Sequence, residues 1–510
     1  MSQSKARREA KCKKRIGRRL RRRNYADQPR PMFAASNIQY DQSDRMQGLA
    51  AGGIGAIHLM VRRIGLIDAI DESLHLLKAH VPYHESDHVL NIAYNSLLGG
   101  TCLEDIELRR NDEVYLNALG AVTIPDPTTA GDFCRRFAEP ELEVLQKVIN
   151  RRRLQVWRRQ PDPFFEEAIV EADGTMAPTT GECKEGMDIS HNGVWGYHPL
   201  LMSLANTSEP LYLVNRSGSR PSHEGAAARF DQALALCREA GFRRILFRGD
   251  TDFSQTKHLD GWDGQGVRFI FGMDASPVLV DLAEALPAWR WSRLERAARY
   301  RLRTRPRRRP ERIKEGIVRE REFENIRLLS EDVAYFPYQP YACEKAYRIV
   351  VVRKNLTVEK GNLALFDDVR YFFYITNDWR ATPDELVFLA NDRCDQENLI
   401  DQLKNGVKAL RMPVDNLKSN WAYMIMASLA WTLKAWFALL LPETGRWRTK
   451  YQEEKRRLLR MEFRGFVNAM IQMPVQVVRA GRRIIFRLLS WNPWQHVLLR
   501  AVDHLYTIRC

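Results

Sequence analysis

Two aspartates and one glutamate, far apart along the chain, have the types and placements of ligands for a hard cation. Asp173 and Asp250 each end a short apolar run that is typical of a strand, and each is next to a glycine. Glu397 follows much later, in a segment with helical spacing. In α/β folds the strand ends are where catalytic groups gather, and carboxylate oxygens suit Mg2+ or Mn2+. Asp beside Gly is also a common turn former, so a purely structural role for both aspartates stays open.

Two basic residues flank Glu397 at helical spacing. Arg393 lies four residues before it and Lys404 seven residues after it. At about 100° per residue, these offsets place all three side chains on one face of a helix. Such a stripe can hold a metal ion and contact phosphates on either side of it. The alternative is an ordinary ion pair between Arg393 and Glu397, which contributes roughly 0.2–0.5 kcal/mol.

The acidic residues fall in a region with the alternating pattern of an α/β domain. Between residues 161 and 274, apolar periodicity predicts three strands, a helix, a strand, a helix and a strand. Because strands that alternate with helices are usually parallel, we expect a mixed sheet with flanking helices, built from 161–274 and 346–441. The predicted strands are 168–173, 198–205, 211–214, 244–248, 267–271, 347–352 and 370–376, and the predicted helices are 224–240, 253–260, 383–410 and 417–441.

Four further segments surround this predicted core. Residues 1–40 form a basic arm that we expect to be disordered until it binds DNA, although a solvated charge run gives the same pattern. Residues 41–160 have helical periodicity, which suits a DNA-binding domain or a purely structural bundle. Residues 275–345 lack the regular alternation of strands and helices. They are predicted to be a basic insertion, since compact domains rarely contain such long structureless loops. Residues 442–510 are predicted to be a helical, basic C-terminal region.

Two tryptophans, Trp289 and Trp291, begin the strongly basic part of the predicted insertion. An aromatic ring among basic residues can stack on a base that has left the duplex, which is worth roughly 1–3 kcal/mol per base. Packing in a hydrophobic core is the commoner use of tryptophan. Both interpretations stay open on sequence alone.

Overall charge and composition restrict the class of partner. The net charge of +16 arises from 79 Lys and Arg against 63 Asp and Glu. This charge favours a polyanionic partner, because each cation placed on a phosphate releases a counterion.

The eight cysteines are scattered without a Cys-x-x-Cys pair. We therefore expect neither a zinc site nor disulfides, and we expect the protein to be cytosolic. The apolar stretch 424–441 contains Lys434, and we interpret it as a buried helix rather than a membrane span.

In the order and surroundings of its acidic residues, the sequence resembles the DDE transposases of bacterial insertion sequences. The resemblance is greatest to the branch with a Tyr-x2-Arg-x3-Glu-x6-Lys signature and a long insertion before the glutamate helix, and within it to the thirteen-eighty group. It is carried by Glu171-Ala172-Asp173-Gly174-Thr175, Arg248-Gly249-Asp250-Thr251-Asp252-Phe253, Arg393-x3-Glu397-x6-Lys404, Leu103-Glu104-Asp105-Ile106-Glu107-Leu108-Arg109 and Asn215-Arg216-Ser217-Gly218-Ser219.

The resemblance implies an RNase H-like core and a DNA transposase that works by two-metal phosphoryl transfer. Asp173 would bridge two Mg2+ or Mn2+ ions, with Asp250 and Glu397 each holding one. Arg393 and Lys404 would bind backbone phosphates near the cut. The implied partners are double-stranded DNA, as terminal inverted repeats and as target, and a second copy of the chain in a homodimer. The implied location is the bacterial cytoplasm, at the nucleoid.

Two departures from the family pattern leave alternatives open. The signature tyrosine falls on Ala390, and the usual Ser-Gly-Phe after the second Asp reads Thr251-Asp252-Phe253. Asp252 is therefore a rival to Asp250, and Asp401 is the next candidate if Glu397 is not the third ligand. The alternative functions are an RNase H-like nuclease that cuts without joining strands and a catalytically inactive DNA-binding derivative of a transposase.

Overall fold

A mixed sheet of nine strands lies at the centre of the computed structural model, which describes residues 3–21, 35, 38–40, 46–296, 313–360 and 363–508. The order of the strands across the sheet is β6-β7-β8-β9-β5-β4-β1-β2-β3. In chain order they are β1 (Glu167–Gly174), β2 (Leu200–Leu204), β3 (Glu209–Val214), β4 (Arg244–Gly249), β5 (Arg268–Met273), β6 (Ser292–Arg293), β7 (Glu324–Tyr338), β8 (Tyr347–Lys360) and β9 (Leu363–Thr376).

The strand directions bring two chain segments to one edge of the sheet. β1, β4 and β5 are parallel neighbours, whereas β2 and β3 continue the sheet from β1 in antiparallel fashion. This matches the predicted order of three strands, a helix, a strand, a helix and a strand. Because parallel strands end at the same edge, the end of β1 and the residue after β4 lie side by side. Asp173 and Asp250 occupy those positions.

Helices cover both faces of the sheet and form the N-terminal third of the chain, in agreement with the helical periodicity of 41–160. The helices are Gln3–Arg21, Ile54–Arg63, Leu66–Ser73, Glu85–Leu97, Ile106–Arg110, Glu113–Leu119, Pro127–Arg135, Glu139–Trp157, Ala226–Ala240, Leu259–Gly264, Pro277–Glu284, Ile313–Glu320, Pro383–Asn391, Cys394–Asp401, Leu417–Leu439, Arg448–Leu459, Phe463–Phe466 and Gln495–Leu505. The short strands outside the large sheet are Gly48–Leu49, Ala177–Pro178, Asp188–Ile189, Trp195–Tyr197, Val475–Ala480 and Arg483–Leu488.

The helix Leu417–Leu439, here called the central helix, fills the middle of the protein. It is long and apolar enough to cross a membrane, but its whole apolar window is buried inside the protein, as in the core helix of a globular domain. Trp421 and Trp431 donate their indole N–H groups to the backbone carbonyls of Leu213 and Ser208, each at 2.6 Å. The central helix is therefore fixed to β3 and to the turn before it.

A buried carboxylate at the start of β3 joins three elements. Glu209 is fully buried and accepts hydrogen bonds from Arg153 Nε at 3.1 Å, Trp157 Nε1 at 2.9 Å, Trp436 Nε1 at 2.8 Å and Thr207 Oγ1 at 2.6 Å. Arg153 and Trp157 lie on the long N-terminal helix, and Trp436 lies on the central helix. A buried charge is tolerated only where its partners surround it in this way.

The structure corrects the prediction for the basic arm. Residues Gln3–Arg21, predicted to be disordered, form a helix. The segment is rich in Arg, Lys and Ala, which are good helix formers, and this local preference outweighs the repulsion among its charges. Most of the remaining arm, 22–40, lies outside the described residues.

The predicted insertion and C-terminal region also contain more regular structure than their sequences indicated. Within 275–345, β7 pairs with β8 along its length, and a pairing partner so far away in the chain gives no local signal. The arginine-rich middle of this segment, 297–312, lies outside the described residues. The region 442–510, predicted to be helical, contains a hairpin of the strands Val475–Ala480 and Arg483–Leu488.

The segment 383–410, predicted to be one helix, is interrupted. It consists of the helix Pro383–Asn391, the helix Cys394–Asp401 (the glutamate helix) and a π-type turn at Gln402–Gly406. Local π-type turns of this kind are frequent at functional sites. The domain boundaries proposed from the sequence stay predictions.

We predict that Glu209→Gln lowers the free energy of unfolding by about 3–5 kcal/mol, because it leaves the buried Arg153 guanidinium without a counter-charge. Glu239→Gln is the matched control, since it removes a carboxylate 3.5 Å from Arg158 in a pair whose side chains are both more than half exposed. Its expected cost is about 0–1 kcal/mol. Urea unfolding followed by tryptophan fluorescence measures both variants, and equal losses would contradict the role assigned to Glu209.

Candidate active site

The two predicted aspartate ligands lie where the neighbouring strands β1 and β4 end, and they project from the same face of the sheet. Side chains alternate along a strand, so Asp173 shares a face with Glu171, and Asp250 shares a face with Arg248. Arg248 contacts both Glu171 and the backbone of the helix Pro383–Asn391. The shared face is therefore the one that this helix covers, and the glutamate helix follows directly after it.

Arg393 connects the second aspartate to the predicted third ligand. Its Nη1 donates to Asp250 Oδ2 at 2.8 Å, and its Nη2 lies 3.6 Å from Glu397 Oε1. The ion pair that the sequence offered as an alternative is thus present, but it is the looser of the two contacts. The guanidinium lies between the two carboxylates, and this contact brings the glutamate helix to the end of β4.

Burial and mutual repulsion disfavour charging of the aspartates. Burial and the nearby Asp250 raise the pKa of Asp173 to about 7, and Glu397 adds to the effect while Arg393 opposes it. Burial likewise raises the pKa of Asp250, with Asp252 adding to the rise and Arg393 opposing it. Each aspartate therefore interacts with several other charged side chains. A cluster of acidic groups whose pKa values are raised in this way is typical of a site that binds cations.

Lys404 belongs to the same charged cluster. Burial lowers the pKa of its ammonium group, whereas Asp173 and Asp401 oppose that change. Lys404 is half-buried within the π-type turn that follows the glutamate helix. The sequence placed it on the same helical face as Glu397, and the structure brings it within electrostatic range of Asp173 through this turn rather than through a regular helix.

The donor set suits a hard divalent cation, although the side chains are not in ligating positions. Across the described residues, no three His, Cys, Asp or Glu side chains stand close enough together to hold a metal ion. Arg393 supplies the positive charge between Asp250 and Glu397 instead. The Glu397 side chain is 61% exposed, so no packing prevents it from turning toward the two aspartates. Two aspartates with raised pKa values and a third carboxylate nearby, all with oxygen donors only, fit Mg2+ or Mn2+.

The rival acidic residues occupy different surroundings. Asp252 is exposed in the short turn after β4, and its backbone N–H donates to Asp250 Oδ1 at 3.1 Å. Asp401 is exposed at the end of the glutamate helix and accepts from Asn405 Nδ2 at 2.7 Å. Asp252 thus supports the orientation of Asp250, and Asp401 bonds to the turn that contains Lys404.

The position of the signature tyrosine is occupied by Ala390, half-buried near the end of the helix Pro383–Asn391. A tyrosine from another element stands beside it, because the hydroxyl of Tyr374 on β9 lies 3.4 Å from Asn391 Oδ1. A tyrosine hydroxyl is therefore present near this helix end although the sequence has none at residue 390.

The two tryptophans of the insertion differ in their surroundings. The Trp289 side chain is 77% exposed, with the Arg290 guanidinium 5.1 Å from its ring centre. Trp291 is half-buried, packs near Tyr371 and has the Arg353 guanidinium 4.2 Å from its ring centre. Trp291 thus has the packing role that the sequence left open, whereas Trp289 has a ring face available for another molecule.

A buried ion pair beneath the site was missed by sequence reasoning. Arg248 and Glu171 are both buried, and Arg248 Nε donates to Glu171 Oε1 at 2.7 Å. Arg248 Nη1 also donates to the Leu389 carbonyl at 2.6 Å, so the pair joins β1 and β4 to the helix before the glutamate helix. A signal was available, since each member lies two residues before a predicted ligand, Asp173 or Asp250, and the two have opposite charges.

Comparison with known families gives one match over most of the chain. The family model described as "Transposase DDE domain group 1" matches residues 47–510. Among solved structures, a cryo-EM piggyBac transposase synaptic complex with hairpin DNA is similar at 9% identity and a TM-score of 0.34, over 91% of this chain and 86% of that chain. No curated protein matches the sequence.

We predict that Arg248→Lys loosens the attachment of the helix Pro383–Asn391, because an ammonium group cannot bond to Glu171 and the Leu389 carbonyl in the geometry of a guanidinium. The free energy of unfolding should fall by about 1–3 kcal/mol, and amide hydrogen exchange in residues 383–401 should become faster. Arg244→Lys is the matched control on the same strand. The Arg244 side chain is 60% exposed, and its ion pair with Glu167 is a loose one, with Nε 3.7 Å from Oε1. Unchanged exchange in Arg248→Lys would refute this role.

Proposed function

Because the chain belongs to the DDE transposases, we propose that it cuts DNA at the ends of an insertion sequence and joins the freed 3′-hydroxyl to target DNA. One observation carries the proposal for this chain: Asp173 and Asp250 lie side by side at one sheet edge, and Arg393 bonds to Asp250 and lies 3.6 Å from Glu397. Two aspartates from separate parts of the chain are buried near each other there at an electrostatic cost, which their raised pKa values indicate. Such an arrangement is expected where divalent cations bind.

The core that presents these residues fits an RNase H-like fold. β1, β2 and β3 form an antiparallel meander, and β4 and β5 extend it by parallel pairing on the other side of β1. The strands β6 to β9 add to the far edge next to β5. We infer that residues 161–274 and 346–441 form the catalytic core, and that residues 275–345, which contain β6 and β7, are a basic insertion between them.

Each site residue has a proposed role in phosphoryl transfer. Asp173, Asp250 and Glu397 would hold Mg2+ or Mn2+, which when bound supplies Lewis-acid stabilisation of the attacking and leaving oxygens. Arg393 exchanges its carboxylate partners for a backbone phosphate of the DNA, because a guanidinium binds two phosphate oxygens as well as it binds carboxylates. Lys404 places a second positive charge near Asp173 and neutralises the adjacent phosphate.

The DNA that reaches this site is held mainly through its phosphates. The net charge of +16 favours such binding, and the helix Gln3–Arg21 contains ten Lys and Arg residues against a single Glu. We propose that this helix contacts the phosphates of double-stranded DNA, at the terminal inverted repeats or at the target. A homodimer on paired ends and a location at the bacterial nucleoid complete the proposal, by analogy with the family.

We predict that Asp173→Asn, Asp250→Asn and Glu397→Gln each reduce Mg2+-dependent nicking of element-end DNA to the rate seen with a chelator, because each removes a charged oxygen donor. Binding of the same DNA, measured by gel shift, should stay largely intact. The controls are Asp252→Asn and Asp401→Asn, which remove neighbouring carboxylates outside the proposed ligand set. The substrate is DNA from either side of the reading frame that contains the inverted repeats.

Different outcomes separate the proposed function from its alternatives. Joining of a labelled 3′ end to target DNA is expected from a transposase, whereas cutting without joining indicates a nuclease. End binding without any cutting by the wild-type protein indicates an inactive derivative. If Glu397→Gln cuts DNA normally and Asp401→Asn does not cut it, the third metal ligand is Asp401 rather than Glu397.

We predict that Trp289→Ala and Trp291→Ala have different consequences. Trp289→Ala should leave thermal stability unchanged and weaken a DNA complex that contains an unpaired base by about 1–3 kcal/mol, since its exposed ring can stack on that base. Trp291→Ala should lower stability, because it removes the ring that packs near Tyr371 and Arg353. Thermal unfolding and DNA binding measured for both variants test this, and equal binding by Trp289→Ala and wild type would exclude stacking.

A further inference from the structure

The C-terminal hairpin lies in a segment with positive charge only. Residues 463–502 contain six arginines and no Asp, Glu or Lys. Residues 41–160, predicted to be a DNA-binding domain, contain 14 Lys and Arg against 17 Asp and Glu. That region by itself therefore lacks the surplus of positive charge that binding to DNA phosphates requires. Four of the six arginines lie in residues 475–488, here called the basic hairpin: Arg479, Arg482, Arg483 and Arg487.

One face of the basic hairpin is attached to the N-terminal helical region. The strand Gly48–Leu49 pairs with its first strand. A Cβ atom added to Gly55 would be 2.6 Å from the Phe486 ring, so the ring lies directly against the helix that contains this glycine. Arg479 Nη2 donates to Asn117 Oδ1 at 2.9 Å and adds a polar contact between the two parts. The basic hairpin and the predicted DNA-binding domain therefore form one unit.

The other face of the basic hairpin presents arginines to solvent. Side chains alternate along a strand, so Arg483 and Arg487 project from the face opposite to Phe486. Arg482 lies in the turn between the two strands. All three arginines are exposed, and none of them has an ion pair or a hydrogen bond with any residue that the structure describes. Three guanidinium groups without an internal counter-charge suit an external polyanion.

Protection of a sheet edge is the alternative role for these arginines. The strand Arg483–Leu488 is such an edge, since it pairs only with Val475–Ala480, and charged side chains on an edge prevent pairing with other sheets. Charges of either sign give this protection, whereas only positive charges bind phosphates. The lack of any acidic residue in 463–502 therefore favours phosphate binding.

The segment that leads into the basic hairpin also contacts the π-type turn of the candidate active site. The Phe463 N–H donates to Gln402 Oε1 at 2.9 Å, and a Cβ atom added to Gly406 would be 2.9 Å from the Phe463 Cβ. Gln402 and Gly406 are the two ends of the turn that contains Lys404. The basic hairpin is therefore connected, through a short stretch of chain, to an element of the catalytic site.

We propose that the basic hairpin binds the phosphates of double-stranded DNA through Arg482, Arg483 and Arg487. This inference rests on the proposed function, which supplies DNA as the partner, and it adds a binding surface outside the catalytic residues. A guanidinium binds two phosphate oxygens at once, and contacts with the DNA backbone carry no sequence information directly. The basic hairpin thus supplies the positive charge that residues 41–160 lack.

Three variants test this surface. The triple variant Arg482→Gln, Arg483→Gln and Arg487→Gln removes its charge, and the double variant Arg483→Glu and Arg487→Glu keeps a charged sheet edge of the opposite sign. The control is Arg456→Gln, which removes an exposed arginine that pairs with Glu453 at 2.9 Å. Gel shifts at several salt concentrations measure affinity for a duplex with the inverted repeat and for an unrelated duplex of equal length. Thermal unfolding and light scattering check that each variant is folded and does not aggregate.

The triple variant should bind both duplexes more weakly and to the same extent. Each phosphate contact contributes about 0.9 to the slope of log affinity against log salt, so this slope should fall by about 2–3 and affinity near 0.1 M salt should fall at least about 10-fold. The double variant should bind weakly without aggregating, and Arg456→Gln should bind like the wild type. At saturating DNA the triple variant should nick at the wild-type single-turnover rate, whereas Asp173→Asn should bind DNA without nicking it.

Each other outcome contradicts a specific part of this inference or of the proposed function. Wild-type affinity and salt dependence in the triple variant overturn the inference, and wild-type binding by the double variant shows that the charges only protect the edge. A loss confined to the inverted-repeat duplex overturns phosphate binding. If the wild-type protein binds DNA through these arginines but does not cut it, the proposed function fails and the inference stands. If the wild-type protein binds neither duplex, both fail.

Discussion

Electrostatic repulsion among Asp173, Asp250 and Glu397 is the constraint that the surrounding structure has to satisfy. Burial raises the pKa of Asp173 to about 7, and repulsion from Asp250 and Glu397 adds to this rise. Arg393 reduces it by lying between Asp250 and Glu397, and Lys404 adds a second positive charge from the following turn. The segment 383–410 is interrupted at Asp392 and Arg393, and Arg393 contacts Asp250 from this break.

Buried polar contacts attach elements from distant parts of the chain to the end of the sheet that contains Asp173 and Asp250. The Arg248–Glu171 pair fixes the helix Pro383–Asn391 to the sheet, and Ser96 Oγ of the N-terminal helices donates to the Val407 carbonyl just after the π-type turn. Glu209 performs the same task for the central helix. Each of these contacts is stabilising only while all its partners are present, because an unpaired buried charge is costly. The site therefore depends on the packing of the whole chain rather than on one isolated domain.

The sequence was informative where structure is local and uninformative where it depends on distant pairing. The strands around Asp173 and Asp250 were predictable, because each is a short apolar run between turn signals and its burial on both faces leaves a continuous pattern. β7 was missed, since residues 324–329 are exposed on both faces and are ordered by pairing with β8. The Arg248–Glu171 pair was missed although each member lies two residues before a predicted ligand, because only the sheet register brings together two residues that are 77 positions apart.

The alternative that Asp173 and Asp250 are simple turn formers can be judged from their glycine neighbours. A turn former of that kind usually needs a glycine with positive φ, but Gly174 lies within β1 and Gly249 within β4, and neither has a positive φ. Both glycines are instead places of close approach: a Cβ at Gly249 would lie 2.8 Å from the Cβ of Phe253, and one at Gly174 would meet His198. The two Asp–Gly pairs therefore have a crowded strand end in common, although Asp250 also caps the short turn after β4 by accepting from the Asp252 N–H. What orients the Asp250 carboxylate is its two hydrogen bonds, from the Asp252 N–H to Oδ1 and from Arg393 Nη1 to Oδ2, and the second of these comes from the segment that contains Glu397 rather than from a turn.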